Sequence, residues 1–220
     1  MMKQFAVIGL GRFGVSVAAT LRSQGHEVLA IDNDEDNVQI VQTENLVTQA
    51  VCLDSTNIHA LEELGLQGFD GVVLAIGEDL QASILTALNL MEMGVKRLIA
   101  KASNANHGKI LERMNVPKVV YPERDMGNRV AHMLMQSSIL ESFQLDPRFS
   151  VMEIMAPSAC INKNLAELNL RVKYSISVVA IKHMGAELAV IPGPDHVIQK
   201  NDLLVIIGSN EGIGKFIQNR

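Results

Sequence analysis

The stretch Val7-Ile8-Gly9-Leu10-Gly11-Arg12-Phe13-Gly14 decides the fold of this 220-residue chain. Its glycines have the G-x-G-x-x-G spacing of a strand-to-helix turn that approaches the pyrophosphate of a nucleotide. Gly9 permits the tight turn, Gly11 lets the backbone approach the phosphates, and Gly14 lets the helix pack closely on the sheet. The phosphates are then expected at the N-terminus of the following helix. The stretch therefore predicts a nucleotide-binding site.

The segments on either side support this prediction, because the glycines alone would also be compatible with an ordinary turn. Residues 5–8 are an unbroken apolar run, as in a parallel strand that is buried on both faces. Residues 12–24 have the apolar spacing of a helix, and residues 28–31 form a second apolar run. Asp32 follows it, where a carboxylate accepts hydrogen bonds from ribose hydroxyls and repels a 2′-phosphate. This order favours NAD or ATP over NADP.

Apolar runs and helical segments continue to alternate as far as residue 121. Further strands are predicted at residues 49–52, 72–76, 98–100 and 118–121, with helices at residues 55–64, 81–93 and 105–114. Alternation with short connections predicts an α/β fold with a Rossmann-like, doubly wound parallel sheet. In such a sheet the ligand crevice lies beyond the carboxyl ends of the strands.

Several candidate ligand-binding residues follow these predicted strand ends. Arg12 carries a planar guanidinium suited to a phosphate, although an arginine pointing into solvent is the alternative. Asp54-Ser55 can meet an adenine ring, while simple capping of the next helix by Ser55 or Thr56 is the alternative. Ala75-Ile76-Gly77 brings backbone close to the nucleotide, and Glu78-Asp79 either caps the next helix, the safer assignment, or faces a ribose or a cation. The remaining candidate binding residues are Phe13, Asn33 and Lys101.

Composition and charge exclude several classes of function. The formal net charge is −5 and no basic run is present, which argues against nucleic acid as a partner. The six histidines lack the spacing of metal ligands. The N-terminus lacks the pattern of a signal peptide, and each apolar run falls short of the roughly 20 residues that span a bilayer. We therefore expect a cytoplasmic protein.

The sequence after the predicted sheet lacks the groups of a catalytic site. Residues 149–220 show no Ser-His-Asp or Cys-His arrangement, whereas a dehydrogenase needs a proton donor and a substrate anchor there. The glycine stretch is also not the GxxxxGK[ST] loop of a nucleotide hydrolase. These observations predict a protein that is not an enzyme and whose output is ligand binding itself. An NAD-dependent oxidoreductase or a redox-sensing NADH-binding protein is the alternative.

The pattern changes after the predicted sheet. In residues 126–143 the apolar side chains spread over more than one face of a predicted helix, which suits a partner subunit or packing on the chain's own sheet. Asp146-Pro147-Arg148 is interpreted as a hinge, and a small α+β domain follows, with strands at residues 151–155, 176–181, 187–191 and 203–207 and a helix at residues 165–168. The predicted domains are therefore 1–122, a crossover or dimerisation helix with hinge at 123–148, and 149–220.

Three segments carry a resemblance to a known family. These are residues 5–14, residues 75–85 and Pro122-Glu123-Arg124-Asp125-Met126-Gly127. In them the chain resembles the cytosolic RCK proteins, regulators of potassium conductance, and above all the gating subunits of Ktr-type and Trk-type potassium uptake systems. Residues 169–174, 179–182 and 202–208 are similar to the C-terminal, TrkA-C-like domain of that family.

The resemblance implies a homodimer that assembles into a homo-octameric ring beneath an integral-membrane potassium-translocating subunit. It implies that ATP and ADP, or alternatively NAD(H), favour different ring shapes. Carried over by motif, Arg12 and the three glycines hold phosphates, Asp32 holds the ribose and Asp54-Ser55 lies on the adenine side. Glu123 is then a carboxylate that helps bind Mg²⁺ or another divalent cation at the dimer interface.

The resemblance also implies a second ligand, because some members bind cyclic di-AMP at the C-terminal domain. The residues concerned lie near positions 161–162 and 169–174 of this chain. The sequence departs from the family here, since Ser175 stands where a glycine is common. The resemblance therefore implies cyclic di-AMP as a ligand of the family's C-terminal domain, and this chain departs from that pattern at Ser175.

Overall fold

Residues 1–125 form the first of two units into which the chain divides, and residues 126–220 form the second. The computed structural model describes residues 1–135, 139–183, 186 and 190–218. The first unit contains six strands, β1 (Gln4–Ile8), β2 (Glu27–Asp32), β3 (Gln49–Cys52), β4 (Gly71–Leu74), β5 (Leu98–Lys101) and β6 (Lys118–Val120). They form one parallel sheet in the order β3-β2-β1-β4-β5-β6. The predicted doubly wound sheet is confirmed.

Helices connect the strands of this sheet. They are α1 (Arg12–Ser23), α2 (Glu35–Thr43), α3 (Ile58–Glu62), α4 (Leu80–Glu92) and α5 (Ala105–Arg113), and α6 (Pro122–Met135) follows the last strand. Neighbouring strand residues such as Val7 and Ile8 point to opposite faces, and both are fully buried in separate apolar clusters. The sheet is therefore covered on both sides, which explains its unbroken apolar runs.

The strand order reverses between β1 and β4, the two strands on which the crevice is centred. The chain leaves β1 toward β2 and β3 on one side and later returns to β4, β5 and β6 on the other. Loops at the carboxyl ends of β1 and β4 consequently diverge and leave a gap between them. This topological switch point positions the candidate site.

The second unit contains an antiparallel sheet. Its strands are β7 (Ile139–Asp146), β8 (Phe149–Met155), β9 (Ile176–Lys182) and β10 (Leu203–Ser209), in the order β7-β8-β10-β9. Three helices pack with them, α7 (Leu165–Leu168), α8 (Leu170–Tyr174) and α9 (Asn210–Gln218). Ile154, Ile176, Ile181 and Leu204 are fully buried in the core of this unit. The prediction of a small α+β domain is confirmed.

Two local predictions in this part of the chain are wrong. The helix expected through residue 143 ends at Met135, and residues 139–146 instead form β7, which pairs with β8. The expected hinge at Asp146-Pro147-Arg148 is the turn between these two strands. Asp146 Oδ1 accepts hydrogen bonds from the backbone N–H groups of Arg148 and Phe149, at 2.6 and 3.0 Å, as turn-forming aspartates do.

The strand predicted at residues 187–191 falls mostly outside the described residues, since 187–189 are not among them. Val190 forms an isolated antiparallel bridge with Ile181. Within the described ranges, each helix lacks the combination of length and apolar content that a membrane-spanning helix requires.

Candidate nucleotide-binding site

A crevice of about 800 Å³ opens in the first unit at the carboxyl end of the parallel sheet. This volume lies within the range of small-molecule sites, roughly 300–1,000 Å³. Every predicted site residue except Gly14 contributes to its lining. These residues are Gly9, Gly11, Arg12, Phe13, Asp32, Asn33, Asp54, Ser55, Ala75, Ile76, Gly77, Glu78, Lys101 and Glu123.

The glycines of the β1–α1 loop have three different steric environments. Gly9 has φ +95°, and a Cβ there would lie 2.8 Å from the backbone nitrogen of Ile76. A Cβ at Gly14 would lie only 1.9 Å from the carbonyl oxygen of Gly9, so the helix packs directly on the loop. Gly11 has ordinary φ −68°, and beyond its own chain neighbours no atom lies within 4 Å of its would-be Cβ. The space beside Gly11 is open crevice, as a phosphate cradle requires.

The N-terminus of α1 differs from those of α2, α4 and α5. In those three helices the N-cap residues Asp34, Asp79 and Asn104 accept hydrogen bonds from first-turn N–H groups. The N-cap of α1 is Gly11, which has no side chain to accept such a bond. First-turn donors of α1 are therefore available to an anion in the crevice.

Asp32 links two loops that border the crevice. Its Oδ2 accepts a hydrogen bond from the backbone N–H of Leu10 at 2.5 Å, and its Oδ1 accepts one from Asp34 at 2.9 Å. Each carboxylate oxygen keeps lone-pair capacity for a ribose hydroxyl. Asp32 consequently braces the glycine loop as well as facing the crevice.

Asp54 and Ser55 follow β3 and have different roles. Asp54 Oδ1 accepts hydrogen bonds from the hydroxyl and the backbone N–H of Thr56, which lower the pKa of Asp54 and keep it ionised. Ser55 is buried, and its hydroxyl pairs with that of Thr86 at 2.8 Å. The alternative that Ser55 or Thr56 caps the next helix is wrong, because Asn57 accepts the first-turn hydrogen bonds of α3.

Lys101 and Glu123 form an ion pair at the opposite end of the crevice. The Nζ of Lys101 lies 2.7 Å from Oε1 of Glu123 and 6.0 Å from the ring centroid of Phe13. The Lys101 hydrogen bond is the main cause that lowers the pKa of Glu123. Among the described residues, no group of three His, Cys, Asp or Glu side chains is arranged to hold a metal ion. Glu123 would therefore need further ligands, such as ligand phosphates, to bind a cation.

Glu78 and Asp79 lie on the β4–α4 loop. Asp79 Oδ1 accepts the backbone N–H of Ala82 at 2.8 Å and so caps α4, which confirms the capping interpretation for Asp79. Glu78 is exposed and lines the crevice.

Sequence reasoning missed some residues of the crevice. The residues that line it without having been considered as site residues are Ile8, Asn37, Leu53, Ala82 and Ser103. Asn37 lies in the first turn of α2, and Ser103 lies in the loop after β5. Their positions after the strands could have identified them, because the loops at the carboxyl ends of the strands in such a sheet face the crevice.

This arrangement defines a class of protein, one with a Rossmann-type nucleotide-binding unit followed by a small antiparallel unit. The TrkA-N domain matches residues 5–122, and the TrkA-C domain matches residues 150–219. The chain is 44% identical over 216 residues to the Ktr system potassium uptake protein C of Bacillus subtilis, which covers 98% of this chain and 96% of that protein. It therefore belongs to the family of Ktr system potassium uptake proteins, and the resemblance predicted from sequence is confirmed.

Further similarities agree with this assignment. The Ktr system potassium uptake protein A of Bacillus subtilis is 39% identical over 214 residues, which cover 97% of this chain and 95% of that protein. The fold is similar to that of the crystal structure of the GsuK RCK domain, with a TM-score of 0.70 at 16% identity over 99% of this chain and 47% of that chain. A GsuK channel bound to NAD has a TM-score of 0.67 at 15% identity, over 96% of this chain and 38% of that chain. The predicted RCK-like fold is confirmed.

Proposed function

We propose that this chain is a nucleotide-binding regulatory subunit that gates a membrane potassium channel or transporter. It acts at the inner face of the cell membrane through that partner and catalyses no reaction of its own. ATP and ADP stabilise different conformations, so the ratio of the two sets potassium flux. The observation that carries this proposal is the open space beside Gly11 at the uncapped N-terminus of α1, where nucleotide phosphates can bind. The link to potassium flux rests on the family to which the chain belongs.

In this proposal the nucleotide lies across the switch point. The phosphates meet the α1 N-terminus and Arg12, and the ribose meets Asp32. The adenine lies toward Asp54 and Ser55, over the backbone of residues 75–77. Glu123 holds Mg²⁺ or another divalent cation together with the terminal phosphate.

NAD(H) is the second candidate ligand. The crevice continues past β4 to Lys101, Ser103 and Glu123, which leaves room beyond the pyrophosphate for a second nucleoside. The similar GsuK channel was solved with NAD bound. A redox-sensing role follows if the reduced and oxidised forms bind with different affinities.

Cyclic di-AMP at the second unit is a further candidate. Ser175, where the family commonly has a glycine, has φ +57°. This is a left-handed conformation that glycine adopts without strain. Cyclic di-AMP therefore belongs in the same set of binding experiments.

Calorimetry with the purified protein tests the ligand class. We expect ATP and ADP to bind with Kd values well below 1 mM, and ATP affinity to depend on Mg²⁺ because its terminal phosphate meets a carboxylate-rich crevice. NADPH is expected to bind about tenfold or more weakly than NADH, since Asp32 repels a 2′-phosphate. NADH binding that dominates ATP and ADP, with turnover of small carbonyl substrates, would instead establish the oxidoreductase alternative.

We also propose that the chain forms a homodimer and then a homo-octameric ring. Met126, Val130 and Leu134 recur every four residues along α6, and all three side chains are exposed, Leu134 by 80%. Such a stripe lies on one face of a helix. In the proposed ring, a second copy of the chain covers this apolar stripe on α6.

The double substitution Val130→Glu with Leu134→Glu is expected to reduce the assembly to smaller species, because charges on an apolar interface remain unpaired when it closes. Light scattering after size exclusion measures the mass. Ile40→Glu on α2, also an exposed apolar position, is the matched control and should leave the mass unchanged. An unchanged mass of the α6 double variant would remove this helix from the interface.

A further inference from the structure

The two side chains of the Lys101–Glu123 ion pair differ in their exposure to solvent. The side chain of Lys101 is 14% exposed, whereas that of Glu123 is 67% exposed. Lys101 packs against Gly77, where a Cβ would lie 3.1 Å from Nζ, and approaches the ring of Phe13. The ammonium group is therefore held by its surroundings, and the carboxylate is the partner that can leave.

Carboxylates outnumber cationic side chains among the described residues that line the crevice, and Lys101 is one of the cations. The described lining residues include five carboxylates, Asp32, Asp54, Glu78, Asp79 and Glu123. The cations among these described lining residues are Arg12 and Lys101. A nucleotide brings several further negative charges, so its phosphates must compete with protein carboxylates for the same two cations.

Arg12 and Lys101 are unequally available to such a ligand. Arg12 is exposed, and no side-chain hydrogen bond or ion pair of its guanidinium occurs within the described part of the chain. Lys101 is already engaged by Glu123 at 2.7 Å. A phosphate therefore gains Arg12 directly, whereas at Lys101 it competes with the Glu123 carboxylate for the ammonium charge.

We propose that the Lys101–Glu123 pair is an internal lock on the crevice, in which the Glu123 carboxylate occupies the position that nucleotide phosphate takes on Lys101. This inference rests on the proposed function, since it concerns the same nucleotide site. Binding exchanges one anion for the other and releases Glu123 from the β5 end of the sheet. The released carboxylate lies in the first turn of α6, where the helix N-terminus still stabilises it.

The exchange has a direct consequence for α6. Glu123 is the second residue of this helix, and α6 continues to Met135, past the boundary of the two units at residue 125. While the lock is closed, the first turn of α6 is tied to β5 through Lys101. When a phosphate replaces Glu123 on Lys101, this contact between α6 and β5 is lost. Ligand binding thereby changes the contacts of the first turn of α6, the helix that leads into the second unit.

A double-mutant cycle measured by calorimetry with ADP in EDTA tests the lock without a contribution from metal. Glu123→Gln removes the competing charge and is expected to tighten ADP binding about three- to tenfold, the range that a partly exposed ion pair allows. Lys101→Met is expected to weaken ADP binding about tenfold. In the Lys101→Met background, Glu123→Gln should change the affinity less than twofold, because no shared cation remains.

Glu211→Gln in α9 is the matched control. It breaks an exposed ion pair with Lys215 in the second unit, at 2.6 Å, and should leave ADP affinity unchanged. Lys101→Gln replaces Lys101→Met if the latter is unstable in thermal unfolding.

The outcomes separate the lock from the function on which it rests. Failure of the unmodified protein to bind any nucleotide overturns the proposed function. Nucleotide binding that Glu123→Gln leaves unchanged or weakens overturns the lock alone. Equal tightening by Glu123→Gln in both backgrounds also overturns it, because the carboxylate then repels the ligand without sharing Lys101.

Discussion

Gly14→Ala is expected to destabilise the protein and abolish nucleotide binding together. The new Cβ would lie 1.9 Å from the carbonyl oxygen of Gly9, so either the loop or the first turn of α1 must move. Overpacking of this kind costs about 1–3 kcal/mol and sometimes more, and the contact here is with backbone, which cannot rotate away. Chemical denaturation measures the free energy of unfolding, and calorimetry measures the affinity for ADP.

Gly11→Ala separates the two effects. Gly11 has φ −68° and no neighbour within 4 Å, so alanine fits without strain and the free energy of unfolding should change by less than about 0.5 kcal/mol. The added methyl group instead occupies the phosphate cradle, and ADP affinity should fall about tenfold or more. Gly68→Ala is the control, because Gly68 also has open space and does not line the crevice. Normal ADP binding by the Gly11 variant would show that the phosphates lie elsewhere.

The crevice was predictable because its geometry follows from topology. Once the glycine spacing and the alternating elements establish a parallel sheet, the carboxyl ends of all its strands must lie at the same edge. Residues as distant in sequence as Gly9 and Gly77 were therefore assigned to one site without any contact being visible, whereas Glu123 was assigned from the family resemblance alone. Gly14 is the informative exception, since its function is to touch Gly9 and not the ligand.

Contacts within the crevice were not predictable, because they join residues far apart in sequence. The Ser55 hydroxyl pairs with Thr86, 31 residues away, and Lys101 pairs with Glu123, 22 residues away. Local patterns carry no information about such partners. Ser55 consequently looked like a helix cap, and the structure assigns that position to Asn57.

The error in residues 139–146 has a similar cause. The sequence Phe143-Gln144-Leu145-Asp146 alternates between apolar and polar residues as a strand does, but the preceding helical pattern masked it. An edge strand is stabilised by hydrogen bonds to its neighbour, here β8, and a sequence does not display that pairing. The turn at Pro147 then looked like a hinge, because a proline turn has the same composition in a linker and in a hairpin.

Asp32→Ala is expected to weaken ATP, ADP, NAD and NADH alike, by about 2–3 kcal/mol or roughly 30- to 150-fold in Kd. Two losses contribute. The ribose hydroxyls lose an ionised acceptor, and the backbone N–H groups of Leu10 and Asp34 lose the carboxylate that joins their loops. Calorimetry with the four ligands tests whether the loss is uniform.

Inorganic pyrophosphate and the variant Asp32→Asn separate these two losses. Pyrophosphate has no ribose, so any weakening of its binding by Asp32→Ala reports the disordered glycine loop alone. Asparagine keeps one acceptor oxygen, which can still accept the Leu10 N–H of the glycine loop, but it turns an NH₂ group toward the Asp34 N–H. We therefore expect Asp32→Asn to bind nucleotides with intermediate affinity and pyrophosphate nearly normally. A loss confined to ATP would contradict the ribose role, because all four ligands carry the same adenosine ribose.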